Sequence, residues 1–159
     1  MIIRAATLRD SEQIAVTHRA SIEGLCSECY NAQDVAGWVD IISPGIYESA
    51  INEKVMIVAA KVGEIIGLGI LDLERQEVAA IYVHPQCKGT GVGKRLLSAL
   101  EAKAIENNLD RLTLCSTINA VGFYNHHGYI LEDKTFHELP NGVKLECIRM
   151  QKTLENPNT

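Results

Sequence analysis

The sequence predicts one α/β domain built on a mixed, mostly antiparallel sheet with helices on its flanks. Residues 55–61, 64–74 and 77–83 are apolar, rich in β-branched side chains and separated by two-residue turns, which predicts an antiparallel meander. A helical pattern over residues 91–108 then leads to an apolar strand at 111–115. A helical crossover of this kind makes the strands before and after it parallel neighbours.

The N-terminal third is predicted to hold one short strand followed by helices. Residues 2–6 form the strand, and Thr7 or Asp10 can cap the helix that follows it. A second amphipathic helix begins near Asn31 and ends before Pro44, because apolar side chains recur there at three-and-four spacing.

The C-terminal third is predicted to hold a short helix and two strands. The helix spans residues 119–127, and the strands span 129–136 and 143–150. No repeat or linker divides the 159 residues, whose number suits a single domain. We therefore expect one domain over residues 1–152 and a flexible tail over 153–159.

Charge and cysteine content narrow the class of protein. Fifteen Lys and Arg against twenty Asp and Glu leave a net charge of -5, so nucleic acid is not an expected partner. The apolar runs fall far short of the roughly 20 residues that a membrane span needs, so a membrane is not expected either. The start of the chain lacks the features of a secretory signal, which favours the cytoplasm. Cys26 and Cys29 have metal-ligand spacing, but two further ligands are missing, so we expect free thiols and no metal.

A glycine-rich stretch is the most informative part of the sequence. Gly89, Gly91 and Gly93 follow a predicted strand and open a predicted helix. Backbone N–H groups of such a loop, together with about half a positive charge from the helix dipole, bind anions. Lys88 and Lys94 add positive charge, as does Arg95 beside them, so the ligand is expected to carry phosphates.

Two common nucleotide-binding loops fit this stretch badly. A P-loop requires glycine at the position of Lys88, and Ser or Thr at the position of Arg95. A dinucleotide fingerprint requires its third glycine one place later than Gly93, and this stretch lies late in the chain, after an antiparallel meander. An NAD-dependent oxidoreductase is therefore a weak alternative.

Residues 82–95 resemble the acetyl-CoA loop of the GNAT superfamily of N-acetyltransferases. That loop has the signature R/Q-x-x-G-x-G/A after a strand ending in V-H-P, and residues 88–93 read KGTGVG, with Lys88 in place of Arg or Gln. Residues 119–129 read NAVGFYNHHGY and look like the family's run of Asn, then Phe-Tyr, then Gly followed by an aromatic residue. The resemblance implies a twisted sheet whose central parallel pair splays apart to admit CoA.

The resemblance also implies acetyl-CoA as co-substrate. Pantetheine amides would pair with the backbone of the strand before the loop, and the pyrophosphate would rest on the loop. Asn119 could touch CoA, or could instead cap the short helix. The implied binding residues are Ile81, Val83, Lys88, Gly89, Thr90, Gly91, Val92, Gly93, Lys94 and Asn119.

The implied reaction moves an acetyl group to a primary amine of a small molecule or protein, by direct attack in a ternary complex. Glu77 matches the family's general base, acting directly or through water, although it could be only a charge at a strand start. Tyr124 matches the acid that protonates the leaving thiolate, although it could be a packed core residue. A backbone N–H near Val83 would stabilise the oxyanion.

Some questions stay open at the level of sequence. A non-catalytic acyl-CoA sensor would need the loop but neither Glu77 nor Tyr124. The identity of the amine carries no recognisable motif, and both a monomer and a homodimer are compatible with the sequence.

Overall fold

A computed structural model describes residues 1–155 and contains a seven-stranded sheet with the spatial order β1-β2-β3-β4-β5-β7-β6. All neighbouring strands are antiparallel except β4 and β5, which are parallel. The predicted fold class is therefore confirmed. The strands are β1 (Ile2–Ala5), β2 (Val55–Lys61), β3 (Glu64–Asp72), β4 (Glu77–Val83), β5 (Arg111–Thr117), β6 (Ile130–Glu138) and β7 (Lys144–Thr153).

Helices cover both faces of the sheet and create two cores. Consecutive residues of β2 point into different cores, since Val58 packs with α1 and α2 whereas Ile57 packs with α4. Within residues 1–155 every helix is too short or too polar to cross a lipid bilayer. The helices are α1 (Ser11–Ser21), α2 (Ala32–Asp40), α3 (Glu48–Glu53), α4 (Val92–Glu106) and α5 (Val121–His126).

Two features of the helices were not predicted. A π-helical turn, Ile22–Cys26, continues α1 beyond its regular end. Pro44 occupies the first position of a 3₁₀ turn that leads into α3, because proline's fixed φ suits the start of a helix. With only six residues, α3 is too short to show a helical period in the sequence.

The folded part of the chain extends past the predicted domain boundary at residue 152. Thr153 is the last residue of β7 and pairs with Arg111 of β5. The side chain of Leu154 is buried, and its backbone N–H donates to the carbonyl oxygen of Asp110 at 2.8 Å. The tail predicted from residue 153 therefore begins at least two residues too early, and residues 156–159 lie outside the described part.

The parallel strands β4 and β5 pair at one end only. Their ladder consists of the single pair Glu77 and Thr113. Downstream of it, Ala79 forms a bulge against β3, because Ala80 pairs with Ile70 and Val78 with Leu71. From there to Val83, the edge of β4 that faces β5 has no ladder partner within the sheet, so a cleft opens between the two strands.

His18 is a half-buried residue of α1 whose ring faces the sheet. Its ring stacks on Tyr82 with 4.2 Å between centroids, and Nδ1 lies 2.9 Å from the hydroxyl oxygen of Tyr47. Nε2 is buried without a hydrogen-bond partner in residues 1–155. Burial, assisted by the charge of Arg19, lowers the pKa of His18 to about 4.

This burial makes the stability of the fold depend on pH. Between pH 6.5 and 4 the unfolded chain protonates His18 and the folded chain does not, so stability falls as the pH is lowered through that window. We expect a loss of roughly 2–3 kcal/mol, measured by urea unfolding at several pH values. His18→Gln should lose most of this slope, whereas a matched change at the exposed His137 should keep it. A His18→Gln variant with the parental slope would contradict the assignment.

Candidate active site

A cleft of about 760 Å³ occupies the space between the diverging strands β4 and β5. Three parts of the chain line it. The first is the end of β4 with the glycine loop, the second is α5 with the turn before it, and the third is the end of α1 with residues 25–29. These walls come from distant parts of the sequence and meet only in the folded protein.

The glycine loop forms an anion-binding surface at one end of the cleft. Gly89 and Gly91 have φ values of +77° and +90°, a conformation that side chains with a Cβ rarely adopt. A Cβ added at either glycine would meet no atom within 4 Å. No side chain caps α4, which begins at Val92, so the N–H groups of its first turn are available to an anion.

Nine of the ten predicted binding residues line this cleft, and Thr90 is the exception. The Thr90 hydroxyl donates to the carbonyl oxygen of Cys87 and is therefore turned back onto the loop. Arg95, expected to add charge to the loop, donates instead to the carbonyl oxygen of Met1. The cationic side chains in the lining are those of Lys88 and Lys94.

The free edge of β4 forms the floor of the cleft. Ile81 and Val83 pair with Gly69 and Gly67 of β3 on one side. On the other side both residues line the cleft. Extended backbone with an open edge can pair with the amides of a bound molecule, as in strand addition.

Tyr124 lines the cleft and is 7% exposed. Its ring meets those of Phe123 and Tyr129 edge to face, at 5.2 and 5.7 Å between centroids. Its hydroxyl makes no hydrogen bond to residues 1–155, and burial raises its pKa well above the usual value. Phe123 and Tyr124 are adjacent on a helix, so their side chains point in different directions, which predicts Phe123 in the core and Tyr124 in the cleft. In the structure both residues line the cleft, and Tyr124 is the more buried.

Glu77 lies outside the lining of the cleft. It is half-buried at the start of β4, opposite Thr113. Val83 lies six positions further along the chain, which is roughly 20 Å along a strand. This carboxylate is therefore remote from the glycine-loop end of the cleft. In the described part of the chain, the carboxylate that lines the cleft is that of Glu28.

Asn119 does not cap the short helix, because Ala120 holds the cap position of α5 and Asn119 lies in the 3₁₀ turn before it. Asn119 lines the cleft beside the thiol of Cys26. Burial raises the pKa of Cys26 to about 12, so this thiol stays protonated. Residues 1–155 contain no group of His, Cys, Asp or Glu that could hold a metal ion.

Two sets of lining residues had little signal in the sequence. Cys26 and Cys29 stood out only for their spacing, and Leu25 beside them not at all. His126 and His127 also line the cleft. They follow Tyr124 on the same short helix, and that proximity to a motif was the signal that could have identified them.

Comparisons with known proteins identify a protein family and solved structures that share this fold. Residues 26–154 match the family model described as an acetyltransferase (GNAT) domain. Among solved structures, a GCN5-related N-acetyltransferase from Rhodopseudomonas palustris is 26% identical, with a TM-score of 0.87. The match covers 96% of this chain and 95% of that chain. No curated protein matched the sequence.

Two further solved structures share the fold at lower identity. The PaiA N-acetyltransferase from Thermoplasma acidophilum, solved in complex with coenzyme A, is 21% identical, with a TM-score of 0.80. That match covers 96% of this chain and 98% of that chain. YncA from Salmonella typhimurium, solved with its cofactor acetyl-CoA, is 20% identical, with a TM-score of 0.65 and coverage of 98% and 94%.

Proposed function

Because the chain belongs to the GNAT family of acetyltransferases and is thus an acyltransferase, we propose that it acetylates a primary amine of a small molecule or protein. Acetyl-CoA is the donor, and the amine attacks it directly in a ternary complex. The observation that carries the proposal is the uncapped, glycine-rich start of α4 at the end of a cleft between splayed strands. We place the catalytic domain within residues 1–154.

We assign the pyrophosphate of acetyl-CoA to the glycine loop and its pantetheine arm to the edge of β4. Backbone N–H groups over residues 89–94 suit the pyrophosphate, with Lys88 and Lys94 supplying positive charge at the rim. The open edge of β4 at Ile81 and Val83 suits the two amides of pantetheine. Asn119 lies across the cleft from that edge and could contact the same molecule.

Acetyl transfer to an ammonium group removes two protons from the nitrogen and adds one to the leaving thiolate. The ammonium group of the acceptor, with a pKa near 10, must lose a proton before it can attack. We assign that proton to Glu77, reached through water. A backbone N–H near Val83 stabilises the oxyanion of the tetrahedral intermediate. As the carbon–sulfur bond breaks, the departing thiolate, with a pKa near 8.5, takes a proton from Tyr124. The nitrogen then loses its second proton to water, and the phenol of Tyr124 regains a proton from water.

Thermal unfolding with CoA and a panel of amines tests the function and seeks the acceptor. A bound amine stabilises the folded state by mass action, so an acceptor should raise Tm further in the presence of CoA than without it. The amines that do so should release free thiol from acetyl-CoA and gain an acetyl group, detected by mass spectrometry. If the chain binds acetyl-CoA and acetylates neither amines nor protein substrates, the proposed transfer is wrong.

Glu77→Gln tests the proposed base. The change keeps the shape and removes basicity, so we expect kcat/KM near neutral pH to fall about 10–100-fold. The loss should shrink at high pH, where the amine is already deprotonated. Glu74→Gln, three residues earlier at an exposed position, is the matched control and should have the parental rate. An unchanged pH profile in Glu77→Gln would assign proton removal to water alone or to another group.

A further inference from the structure

Tyr30 connects the end of the π-helical turn to the far side of the cleft. Its backbone N–H donates to the carbonyl oxygen of Cys26 at 3.1 Å. Its half-buried ring packs edge to face on Trp38, with 5.7 Å between centroids. These two contacts fix the position of the Tyr30 ring beside residues 25–29, which form one wall of the cleft.

The hydroxyl of Tyr30 reaches between β5 and β7. It accepts a hydrogen bond from the backbone N–H of Ile118 at 3.1 Å and donates one to the carbonyl oxygen of Glu146. The last pair of the β5·β7 ladder is Thr117 with Cys147, and in the same register the next pair is Ile118 with Glu146. The hydroxyl therefore lies between the two groups that the next step of the ladder would join.

The strands separate at this point. On its other edge β7 stays paired with β6, where Phe136 is the partner of Glu146. On the β5 side the chain turns at Ile118 into the 3₁₀ turn, from which Asn119 lines the cleft. We propose that Tyr30 is a positioning residue for acetyl-CoA: its hydroxyl ends the β5·β7 ladder at Thr117 and so directs Asn119 and α5 toward the cleft.

The chemistry of a phenol suits this position. A hydroxyl group accepts one hydrogen bond and donates another, so it satisfies both the N–H of Ile118 and the C=O of Glu146 while keeping them apart. Burial raises the pKa of Tyr30 to about 12, which keeps the donor protonated at neutral pH. Without the oxygen, the two backbone groups either pair directly and lengthen β5 or remain unpaired. Direct pairing moves the turn that precedes α5, and unpaired groups leave that turn without the contact that holds it.

Tyr30→Phe and Tyr47→Phe separate positioning from general stability. Tyr47 is a buried phenol in the same core, whose hydroxyl contacts His18 Nδ1 at 2.9 Å and which does not line the cleft. Each change removes one hydrogen-bonded oxygen, so each should lower Tm by about 2–4 °C. Calorimetry with CoA should show dissociation constants raised at least tenfold for Tyr30→Phe and less than twofold for Tyr47→Phe. Equal constants for Tyr30→Phe and the parent overturn the inference.

Hydrogen exchange in the parent protein gives a second test that does not require a folded variant. The Ile118 amide should exchange at least tenfold more slowly than the amide of Asn119, and more slowly still with CoA bound. Exchange at the rate of Asn119 shows that the bridge does not persist in solution, and the inference fails.

The inference rests on the acetyl-CoA binding part of the proposed function, and the two can fail separately. If Gly91→Val abolishes CoA binding and Tyr30→Phe does not alter it, the assignment of the cleft stands and only the role of Tyr30 is wrong. If folded Gly91→Val binds CoA as the parent does, the cofactor site itself has been wrongly placed.

Discussion

Gly91→Val should weaken the binding of CoA at least about 100-fold while the chain still folds. Gly91 has a φ of +90°, where a β-branched residue costs about 1–3 kcal/mol. Relief of that strain would rotate the N–H groups at the start of α4 away from the phosphates. A valine that kept the backbone in place would still project into the open space beside the loop, where a Cβ meets no protein atom within 4 Å.

The matched control for this variant is Gly63→Val. Gly63 lies in the turn between β2 and β3 and has a φ of +79°, and a Cβ added there would likewise meet no atom within 4 Å. It should lose a similar amount of stability and bind CoA as the parent does. Calorimetry with CoA, after circular dichroism has established that both variants are folded, measures the difference. Unchanged CoA affinity in folded Gly91→Val would mean that the loop does not hold the pyrophosphate.

The features that the sequence predicted well are those encoded by local patterns. The meander of β2, β3 and β4 follows from β-branched runs with short turns, and α4 follows from apolar residues at helical spacing. The parallel pairing of β4 with β5 follows from the helical crossover between them. The glycine loop was recognisable because its backbone conformation restricts the residue type.

The features that the sequence did not predict depend on contacts between distant segments. β7 lies between β5 and β6, an order that hydrophobic period alone cannot specify. The bridge from Tyr30 to Ile118 joins residues 88 positions apart, and a single tyrosine in a loop gives no sign of it. Glu77 was predicted from its position on the strand before the loop, but that position does not place its side chain in the lining of the cleft.

Tyr124→Phe should lower kcat about 100-fold and leave the affinity for CoA nearly intact. The phenol is proposed to act on the thiolate only as the carbon–sulfur bond breaks, so its loss affects the transition state more than binding. Its hydroxyl makes no hydrogen bond to residues 1–155. We therefore expect unfolding free energy to change by about 1 kcal/mol or less.

Tyr129→Phe is the matched control for this experiment. The Tyr129 ring packs against that of Tyr124, but its hydroxyl donates to the half-buried carboxylate of Glu101 at 2.8 Å, and neither residue lines the cleft. Removing that oxygen leaves the carboxylate of Glu101 with fewer donors, so stability should fall more than in Tyr124→Phe. The value of kcat should stay close to that of the parent. Opposite effects in the two variants would separate proton donation from packing.

The acidity of the leaving group gives the decisive comparison. An acyl thioester whose thiol is more acidic needs less protonation as it departs, so the loss in Tyr124→Phe should shrink with such a donor. Because burial raises the pKa of Tyr124, its phenol should stay protonated below about pH 10. The kcat of the parent should therefore not fall through ionisation of this residue in that range. If Tyr124→Phe keeps kcat within a factor of about three with acetyl-CoA, the tyrosine only packs against its neighbours. The thiolate then leaves unassisted or takes its proton from water.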